Sequence, residues 1–350
     1  MKILIVGPSW VGDMVMAQSL FKSLQDLYPG AQIHVLAPGW SRPIIDAMPE
    51  VSETLDMPLG HGAFAFGVRR SLGHALRTSG YDWAIVLPNS WKSALIPWFA
   101  KIPRRTGWLG EMRYGLLNDV RKLDKTVFPL MVQKYVGLAH DANVTPNEFD
   151  CPAPKLVPKK SNIDAAVQRF GLTLAQPILA LCPGAEFGRA KKWPERHYAE
   201  IARRFVESGG QVWLFGSEND RATCEAICTH VRKAAPKDSV TQLAGETSLQ
   251  DAVALLSVVH RVVANDSGLM HVAAALERPL VALFGSTSPD YTPPLNRDKA
   301  ILKADIECSP CFKRECPYGH YRCLEDMSPD RVWQALENLS AGLALEPSPN

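Results

Sequence analysis

The feature that most constrains the fold of this chain is a regular alternation of short apolar runs with amphipathic stretches of helical length. Strands are predicted at residues 2–6, 32–36, 82–87, 178–181, 211–215, 261–264 and 279–284. Helices are predicted between them at residues 14–28, 195–207, 249–257 and 269–276. Because neighbouring parallel strands need a crossover connection, usually a helix, this alternation predicts the doubly wound α/β class.

A chain of 350 residues is longer than one hydrophobic core usually holds, so two domains are expected. The composition changes between residues 150 and 177, where several prolines precede a Lys-Lys pair and a short helical pattern. We therefore predict two domains, 1–165 and 166–350. Two facing doubly wound domains would form a cleft at the carboxyl ends of their strands, where ligands bind in such folds.

The first residues, MKILIVGPSW, contain an apolar run too short for a signal peptide or a membrane span. We expect a cytoplasmic protein whose membrane association, if any, is peripheral. A net charge of +2 gives no reason to expect nucleic acid. Residues 60–125 nevertheless contain eleven Lys and Arg against four Asp and Glu. This segment is either an anion-attracting patch or simply a solvated face.

A glycine-containing loop follows the first predicted strand and has the sequence GPSWVGD, residues 7–13. Asp13 stands where a P-loop needs lysine, and the G-x-G-x-x-G fingerprint of dinucleotide enzymes is absent. A carboxylate at the end of a strand suits a general base for an acceptor hydroxyl. The alternative is that Asp13 only caps the following helix.

The sequence CPGAEFGRAKKWP, residues 182–194, follows a strand of the second half and carries three cations. Backbone N–H groups beside Lys or Arg are suited to a diphosphate, although a solvated basic loop is equally consistent with the pattern. The sequence NDSGLMH, residues 265–271, opens a helix whose start could bind phosphate and ribose, or merely be capped. As a lone histidine, His271 is more often structural than catalytic. Glu218, after another strand, could accept hydrogen bonds from ribose.

Four cysteines, Cys308, Cys311, Cys316 and Cys323, have the spacing C-x2-C-x4-C-x6-C. The spacing is compact enough for a structural zinc ion or an iron-sulfur cluster, but a loop of reduced thiols is the favoured interpretation. No D-x-D occurs in the chain, so the usual pair of divalent-cation ligands for a sugar diphosphate is missing. We therefore predict no required cofactor.

Taken together, these stretches resemble the ADP-heptose:lipopolysaccharide heptosyltransferases of glycosyltransferase family 9. The resemblance also includes LPNSWKSAL at 87–95, RTGWLGEMRYGLLND at 105–119 and NDSGLMHVAAALERPLVALFG at 265–285. The first two of these are most similar to members that add the second heptose. The resemblance implies the GT-B fold, in which two Rossmann-like domains face each other across a cleft.

The resemblance also implies roles for single residues. Asp13 would be the catalytic base, Lys191 would contact the donor phosphates and Glu218 would bind the adenosine ribose. The implied donor-binding positions are Gly184, Lys191, Lys192, Glu218, Asp266, Ser267, Gly268 and His271. Among the cations of the basic loop, Arg189 and Lys192 occupy less constrained positions of the family pattern. Since the lipopolysaccharide inner core carries carboxylates and often phosphates, candidate acceptor contacts are Lys92, Arg104, Arg105 and Arg113.

The implied reaction is inverting transfer of L-glycero-D-manno-heptose from ADP-heptose to the first heptose of the inner core, without a metal ion. The enzyme would contact the cytoplasmic face of the inner membrane. Trp91, Trp98 and Phe99 could touch that membrane, although core positions are predicted for them. The alternatives are transfer to another core position and a non-catalytic, zinc-stabilised binding protein.

Overall fold

The computed structural model describes residues 1–60, 62–233 and 236–339. The chain divides into two compact units, Met1–Val157 and Pro158–Asn350. Position 165, near which the composition predicts the boundary, lies inside the helix Lys160–Arg169. Residues 340–350, the end of the predicted second domain, lie outside the described residues.

The first unit is built on a parallel sheet of six strands in the order β3-β2-β1-β4-β5-β6. The strands are β1 (Lys2–Val6), β2 (Gln32–Ala37), β3 (Val51–Asp56), β4 (Trp83–Val86), β5 (Arg104–Trp108) and β6 (Asp119–Arg121). The helices are α1 (Val11–Leu27), α2 (Arg42–Ile45), α3 (Phe66–Ala75), α4 (Leu95–Phe99) and α5 (Met131–Val136).

The second unit repeats this architecture with the strand order β12-β11-β10-β7-β8-β9, again parallel throughout. The strands are β7 (Ile178–Cys182), β8 (Gln211–Leu214), β9 (Val240–Gln242), β10 (Arg261–Asn265), β11 (Leu280–Phe284) and β12 (Lys299–Lys303). The helices are α6 (Lys160–Arg169), α7 (Glu195–Glu207), α8 (Arg221–Arg232), α9 (Leu249–Leu256), α10 (Gly268–Ala275), α11 (Arg322–Glu325) and α12 (Pro329–Asn338).

The central strands explain why both sheets form. β1, β7 and β11 are continuous apolar runs, and nearly every residue in them is buried. Such runs are typical of parallel strands covered by helices on both faces. The amphipathic helix α7 packs Tyr198, Ile201 and Phe205 into the core of the second unit. The predicted doubly wound α/β class is confirmed.

Helix length bears on the predicted mode of membrane contact. Among the described residues, none of the helices combines the length and the apolar composition that crossing a bilayer requires.

Candidate active site

The strand order of each sheet determines where a ligand can bind. In the first sheet β1 lies between β2 and β4, and in the second β7 lies between β8 and β10. The strand order reverses between β1 and β4 in the first sheet and between β7 and β10 in the second. A crevice therefore opens at the carboxyl ends of β1 and β4, and another at those of β7 and β10. Most of the predicted site residues follow these strands.

Asp13 lies in the first turn of α1, just beyond the carboxyl end of β1, and is half-buried. The N-cap position belongs to Trp10, whose side chain makes no capping hydrogen bond. Asp13 is therefore not the N-cap residue but lies in the first turn. The partial positive charge of the helix N-terminus stabilises a carboxylate at this position. A carboxylate at the ligand-binding edge of a sheet is suited to accept a proton.

Lys191 belongs to the loop after β7 and forms an ion pair with Asp266, which follows β10. Lys191 Nζ lies 2.6 Å from Asp266 Oδ2, and both side chains are largely buried. Thr287, which follows β11, donates its hydroxyl hydrogen to the same carboxylate oxygen. Thr287 was not predicted from the sequence, although its position after a predicted strand could have indicated it. The structure thus brings together three strand ends around one buried cation.

Asn265 holds the basic loop in place. Its Nδ2 donates to Pro183 O at 2.6 Å, and its Oδ1 accepts from the Trp193 N–H at 3.2 Å. The hydroxyl of Tyr198 donates to the same oxygen at 2.9 Å. Because Asn265 is fully buried and bonds to both ends of the loop, it fixes the loop that carries Lys191 against β10.

Lys192 is oriented by a different carboxylate, that of Asp220. Lys192 Nζ lies 2.8 Å from Asp220 Oδ1, and Asp220 also accepts hydrogen bonds from the N–H and hydroxyl of Ser217. A methyl group at Gly184 would lie 2.3 Å from this carboxylate, so glycine is what allows the close approach. Asp220 was missed, although Ser217 and Asp220 have the spacing of a capping box.

Glu218 lies in a short helical turn after β8, and its side chain is mostly exposed. Both carboxylate oxygens accept from Arg221 at 2.8 Å. These hydrogen bonds lower the pKa of Glu218, so its carboxylate is ionised at neutral pH. The oxygen lone pairs that do not accept from Arg221 can accept hydrogen bonds from the hydroxyl groups of a ligand. This is consistent with the predicted ribose contact.

Helix α10 begins at Gly268, with Ser267 at its N-cap position. Ser267 Oγ is buried and has no hydrogen-bond partner within the described part of the chain. An unpaired buried hydroxyl is costly unless a ligand or water satisfies it. Together with the open backbone N–H groups of the first turn, this hydroxyl is suited to bind an anionic or hydroxylated ligand.

His271 lies one turn into α10 and is buried. Burial lowers its pKa to about 4, against a smaller opposing effect of the Asp266 carboxylate. The imidazole is therefore neutral at pH 7 and can interact with a phosphate only as a neutral hydrogen-bond donor.

This burial predicts a pH dependence of stability. Below about pH 6.5 the unfolded chain binds a proton at His271 that the folded chain does not, so the free energy of unfolding falls as the pH falls towards 4. Between pH 7 and pH 5 we expect a loss of roughly 2 kcal/mol that is absent in His271→Gln. Urea unfolding of both proteins at the two pH values measures the difference. An equal loss in both would contradict a buried, neutral His271.

Residues 308–323, which we call the cysteine-rich segment, pack against the predicted donor-site loops of the second unit. The Ala190 N–H donates to Arg314 O at 3.0 Å, and the Phe312 N–H donates to Ser286 O at 2.7 Å. The guanidinium of Arg189 lies over the Tyr321 ring at 4.6 Å. The segment thus supports both the loop of Lys191 and the end of β11, a role that the sequence analysis did not predict.

The hypothesis of a structural zinc ion at Cys308, Cys311, Cys316 and Cys323 finds no support. Within residues 1–60, 62–233 and 236–339, no three potential ligand side chains are arranged to hold a metal ion. All four are free thiols. Burial, reinforced by the other three cysteines, raises the pKa of Cys323 to about 11, so its thiol is protonated at neutral pH.

Gly188 packs directly against Arg314 of the cysteine-rich segment. Its φ is +151°, and a methyl group there would lie 2.4 Å from Arg314 O. We expect Gly188→Ala to cost about 1–3 kcal/mol of stability and to weaken donor binding, because the loop of Lys191 must shift. Calorimetry and donor titration measure the two effects.

Gly171→Ala is the matched control for that substitution. Gly171 also has a positive φ, +60°, but nothing lies within 4 Å of the added methyl group. The Gly171→Ala protein should lose some stability and keep the wild-type affinity for the donor. Equal losses of donor affinity in both variants would contradict the proposed support of the loop by Arg314.

The candidate acceptor contacts of the first unit all have protein partners. Arg113 is fully buried and donates to Pro88 O and Trp108 O, so it supports the loop after β4 instead of facing a ligand. Burial lowers its pKa to about 10, which leaves it charged at neutral pH. Arg105 donates to Leu116 O and Ile102 O, and Arg104 pairs with Asp119. Lys92 donates to Gly62 O.

The three aromatic residues of the segment 91–99 differ in exposure. Phe99 is buried, as predicted, but Trp91 and Trp98 are 37% and 43% exposed. The prediction of core positions is therefore wrong for both tryptophans. Helix α4 has only five residues, and Trp98 lies on its outer side.

Comparison with known proteins places the chain in a family. Residues 69–322 match the family model for glycosyltransferase family 9 (heptosyltransferase). The chain is 50% identical over 350 residues to lipopolysaccharide heptosyltransferase 2 of Escherichia coli, covering 99% of both proteins. It is 47% identical to lipooligosaccharide heptosyltransferase 2 of Haemophilus ducreyi, covering 97% of this chain and 100% of that one.

A solved structure agrees with these relatives. The structure of E. coli ADP-heptose lps heptosyltransferase II superposes with a TM-score of 0.86 at 47% identity, covering 96% of this chain and 98% of that chain. The two Rossmann-like units, together with this agreement, show a glycosyltransferase of the GT-B fold. The chain belongs to glycosyltransferase family 9, the heptosyltransferases.

Proposed function

We propose that this enzyme transfers L-glycero-D-manno-heptose from ADP-heptose to the first heptose of the lipopolysaccharide inner core, with inversion at the anomeric carbon. One observation carries the proposal: the similarity to lipopolysaccharide heptosyltransferase 2 extends over 99% of both proteins at 50% identity. A relationship this complete includes both central crevices and all of their loops.

The two units divide the work in this proposal. The first unit binds the acceptor near Asp13, with Lys92, Arg104 and Arg105 as contacts for its anionic groups. The second unit binds the donor. Lys191 and the start of α10 bind the diphosphate of the donor, and Glu218 binds its ribose. The supporting geometry is the buried pair of Lys191 and Asp266 beside the unpartnered hydroxyl of Ser267.

The remaining donor-binding candidates have positioning roles in this proposal. Asp220 orients Lys192, the absence of a side chain at Gly184 leaves room for that carboxylate, and Gly268 is the first residue of α10. His271 lies behind that helix start as a neutral donor. Arg113 fixes the loop after β4 from inside the first unit.

In the proposed reaction, Asp13 takes the proton of the 3-hydroxyl of the first core heptose. The hydroxyl oxygen attacks the anomeric carbon of the donor, and the bond from that carbon to the phosphate oxygen breaks. ADP leaves with the electron pair of that bond. Lys191 and the N-terminus of α10 stabilise its growing negative charge. A single displacement converts the β-linked donor into an α-linked product.

The acceptor is anchored in a membrane, so we also propose that the enzyme works at the cytoplasmic face of the inner membrane through peripheral contact. No cofactor is needed in this mechanism, because the protein's own cations neutralise the leaving group.

The test incubates the purified enzyme with ADP-heptose and a truncated lipopolysaccharide that ends at the first core heptose, with and without EDTA. ADP release and the product mass are measured. Addition of one heptose in the presence of EDTA is the expected result. Transfer only to a core that lacks heptose would reassign the enzyme to the first position. Absence of transfer to both acceptors would refute the proposed function.

A further inference from the structure

An exposed cluster of aromatic side chains lies on the first unit, around α3 and α4. We call it the aromatic face and define it as Phe64, Phe66, Trp91 and Trp98, which are 50%, 44%, 37% and 43% exposed. Phe64 stacks on Trp91 with ring centroids 5.9 Å apart and lies 6.1 Å from Phe66. Large apolar side chains that are exposed together, and not singly, mark an interaction surface.

The buried ring of Phe99 makes the aromatic face continuous. Its centroid lies 5.5 Å from that of Phe66 and 4.8 Å from that of Trp98. The two exposed rings therefore rest on a common buried partner.

Cations surround an open cavity of about 820 Å³ at this face. Phe66, Trp91 and Trp98 line it together with the cationic side chains of Arg70, Arg77, Lys101 and Arg105. His74 completes the polar lining, and none of the described lining residues is acidic. The partner that this surface fits is therefore both anionic and able to bury aromatic rings.

The aromatic face is held in shape before any partner binds. Arg69 is buried and donates to Ala63 O at 2.9 Å, Phe64 O at 2.7 Å and Lys92 O at 3.2 Å. Lys92 in turn donates to Gly62 O. These bonds fix the loop of Phe64 against the turn that carries Trp91, so docking requires little ordering of the chain.

We infer that the aromatic face docks on a bilayer surface that contains anionic phospholipid headgroups. Aromatic rings are suited to the boundary between headgroups and acyl chains, and Lys or Arg beside them are attracted to lipid phosphates. A soluble phosphosaccharide would contact the cations and could stack on a ring, but it offers no apolar phase in which all four exposed rings are buried together. The inference rests on the proposed function in one respect, since a lipid-anchored acceptor gives the enzyme a reason to dock.

The first test measures binding to acceptor-free vesicles of phosphatidylcholine, with and without phosphatidylglycerol, by flotation. The wild-type protein should bind the anionic vesicles only, and high salt should release it. Arg70→Glu and Trp98→Ala should each weaken binding by roughly tenfold. Equal binding to both vesicles, or wild-type binding by both variants, would overturn the inference.

Matched controls separate this face from the rest of the surface. Tyr318→Ala removes an exposed aromatic ring and Lys160→Glu reverses an exposed charge, both in the second unit. Both controls should bind vesicles like the wild type. Soluble glycerol 3-phosphate is added as a competitor, and displacement at concentrations comparable to lipid phosphate would show a simple phosphate site, which contradicts bilayer docking.

The second test compares transfer to a deacylated, water-soluble acceptor with transfer to the same acceptor embedded in anionic vesicles. Arg70→Glu and Trp98→Ala should keep kcat/KM on the soluble acceptor and lose it on the embedded one. Equal losses on both acceptors, with vesicle binding intact, would assign the face to saccharide binding and overturn the inference. If the wild type transfers to neither acceptor, the proposed function fails, while the flotation result still decides the docking surface.

Discussion

Asp13→Asn is expected to lower the turnover of heptose transfer by about 10²- to 10⁴-fold while leaving the affinity for ADP-heptose nearly unchanged. The substitution keeps the size of the side chain in the first turn of α1 but removes the carboxylate that would accept the acceptor's proton. Steady-state kinetics and donor titration by calorimetry measure the two quantities separately.

Asp26→Asn is the matched control, because Asp26 is an exposed carboxylate near the other end of the same helix. It should transfer heptose at the wild-type rate. Two results would refute the role of Asp13: retention of more than a tenth of the turnover in Asp13→Asn, or loss of donor binding in that variant.

Lys191→Gln has the second-largest expected effect. Removing the buried ammonium takes away the cation that would stabilise departing ADP, and we expect kcat/KM to fall by about 10²- to 10³-fold. It also leaves Asp266 buried without its ion-pair partner, which should cost about 3 kcal/mol of stability. Transfer kinetics and thermal unfolding are therefore both needed.

A double variant separates the two consequences. Lys191→Gln with Asp266→Asn removes both buried charges, so most of the lost stability should return while transfer stays low. Lys191→Arg, which keeps the charge, should retain part of the activity. Recovery of transfer together with stability in the double variant would show that Lys191 acts only on the fold.

Strands that are buried on both faces are apolar in sequence and could be predicted. Strands at the edge of a sheet contain polar residues and could not be predicted. β7 is fully apolar and β1 is apolar after Lys2, so the positions of both strands follow from the sequence. β3 and β12 are edge strands with mostly polar or partly exposed residues, and neither was predicted. β5 begins with Arg104 and Arg105, whose side chains are accommodated by contacts that only the tertiary structure supplies.

The candidate site was predictable to the level of its loops, because ligand loops follow the central strands of such sheets. Which side chains pair with each other within the site was not predictable. Lys191 and Asp266 are 75 residues apart, and Thr287 comes from a third strand end. The burial of Arg113 could not be predicted either, since its partners are backbone carbonyls, which every residue has and which therefore leave no pattern in the sequence.

The ion pair of Lys191 and Asp266 bears on which anions the proposed donor site would prefer. Lys191 and Lys192 each pair with a carboxylate of their own protein, and Lys191 is the more deeply buried of the two. Because an ammonium has three N–H donors, a diphosphate bound at Lys191 would share this cation with Asp266. The carboxylate offsets part of the attraction of Lys191 for any anion, so binding would depend on contacts beyond the phosphates. We expect inorganic phosphate, which has no nucleoside to add such contacts, to bind this unit weakly.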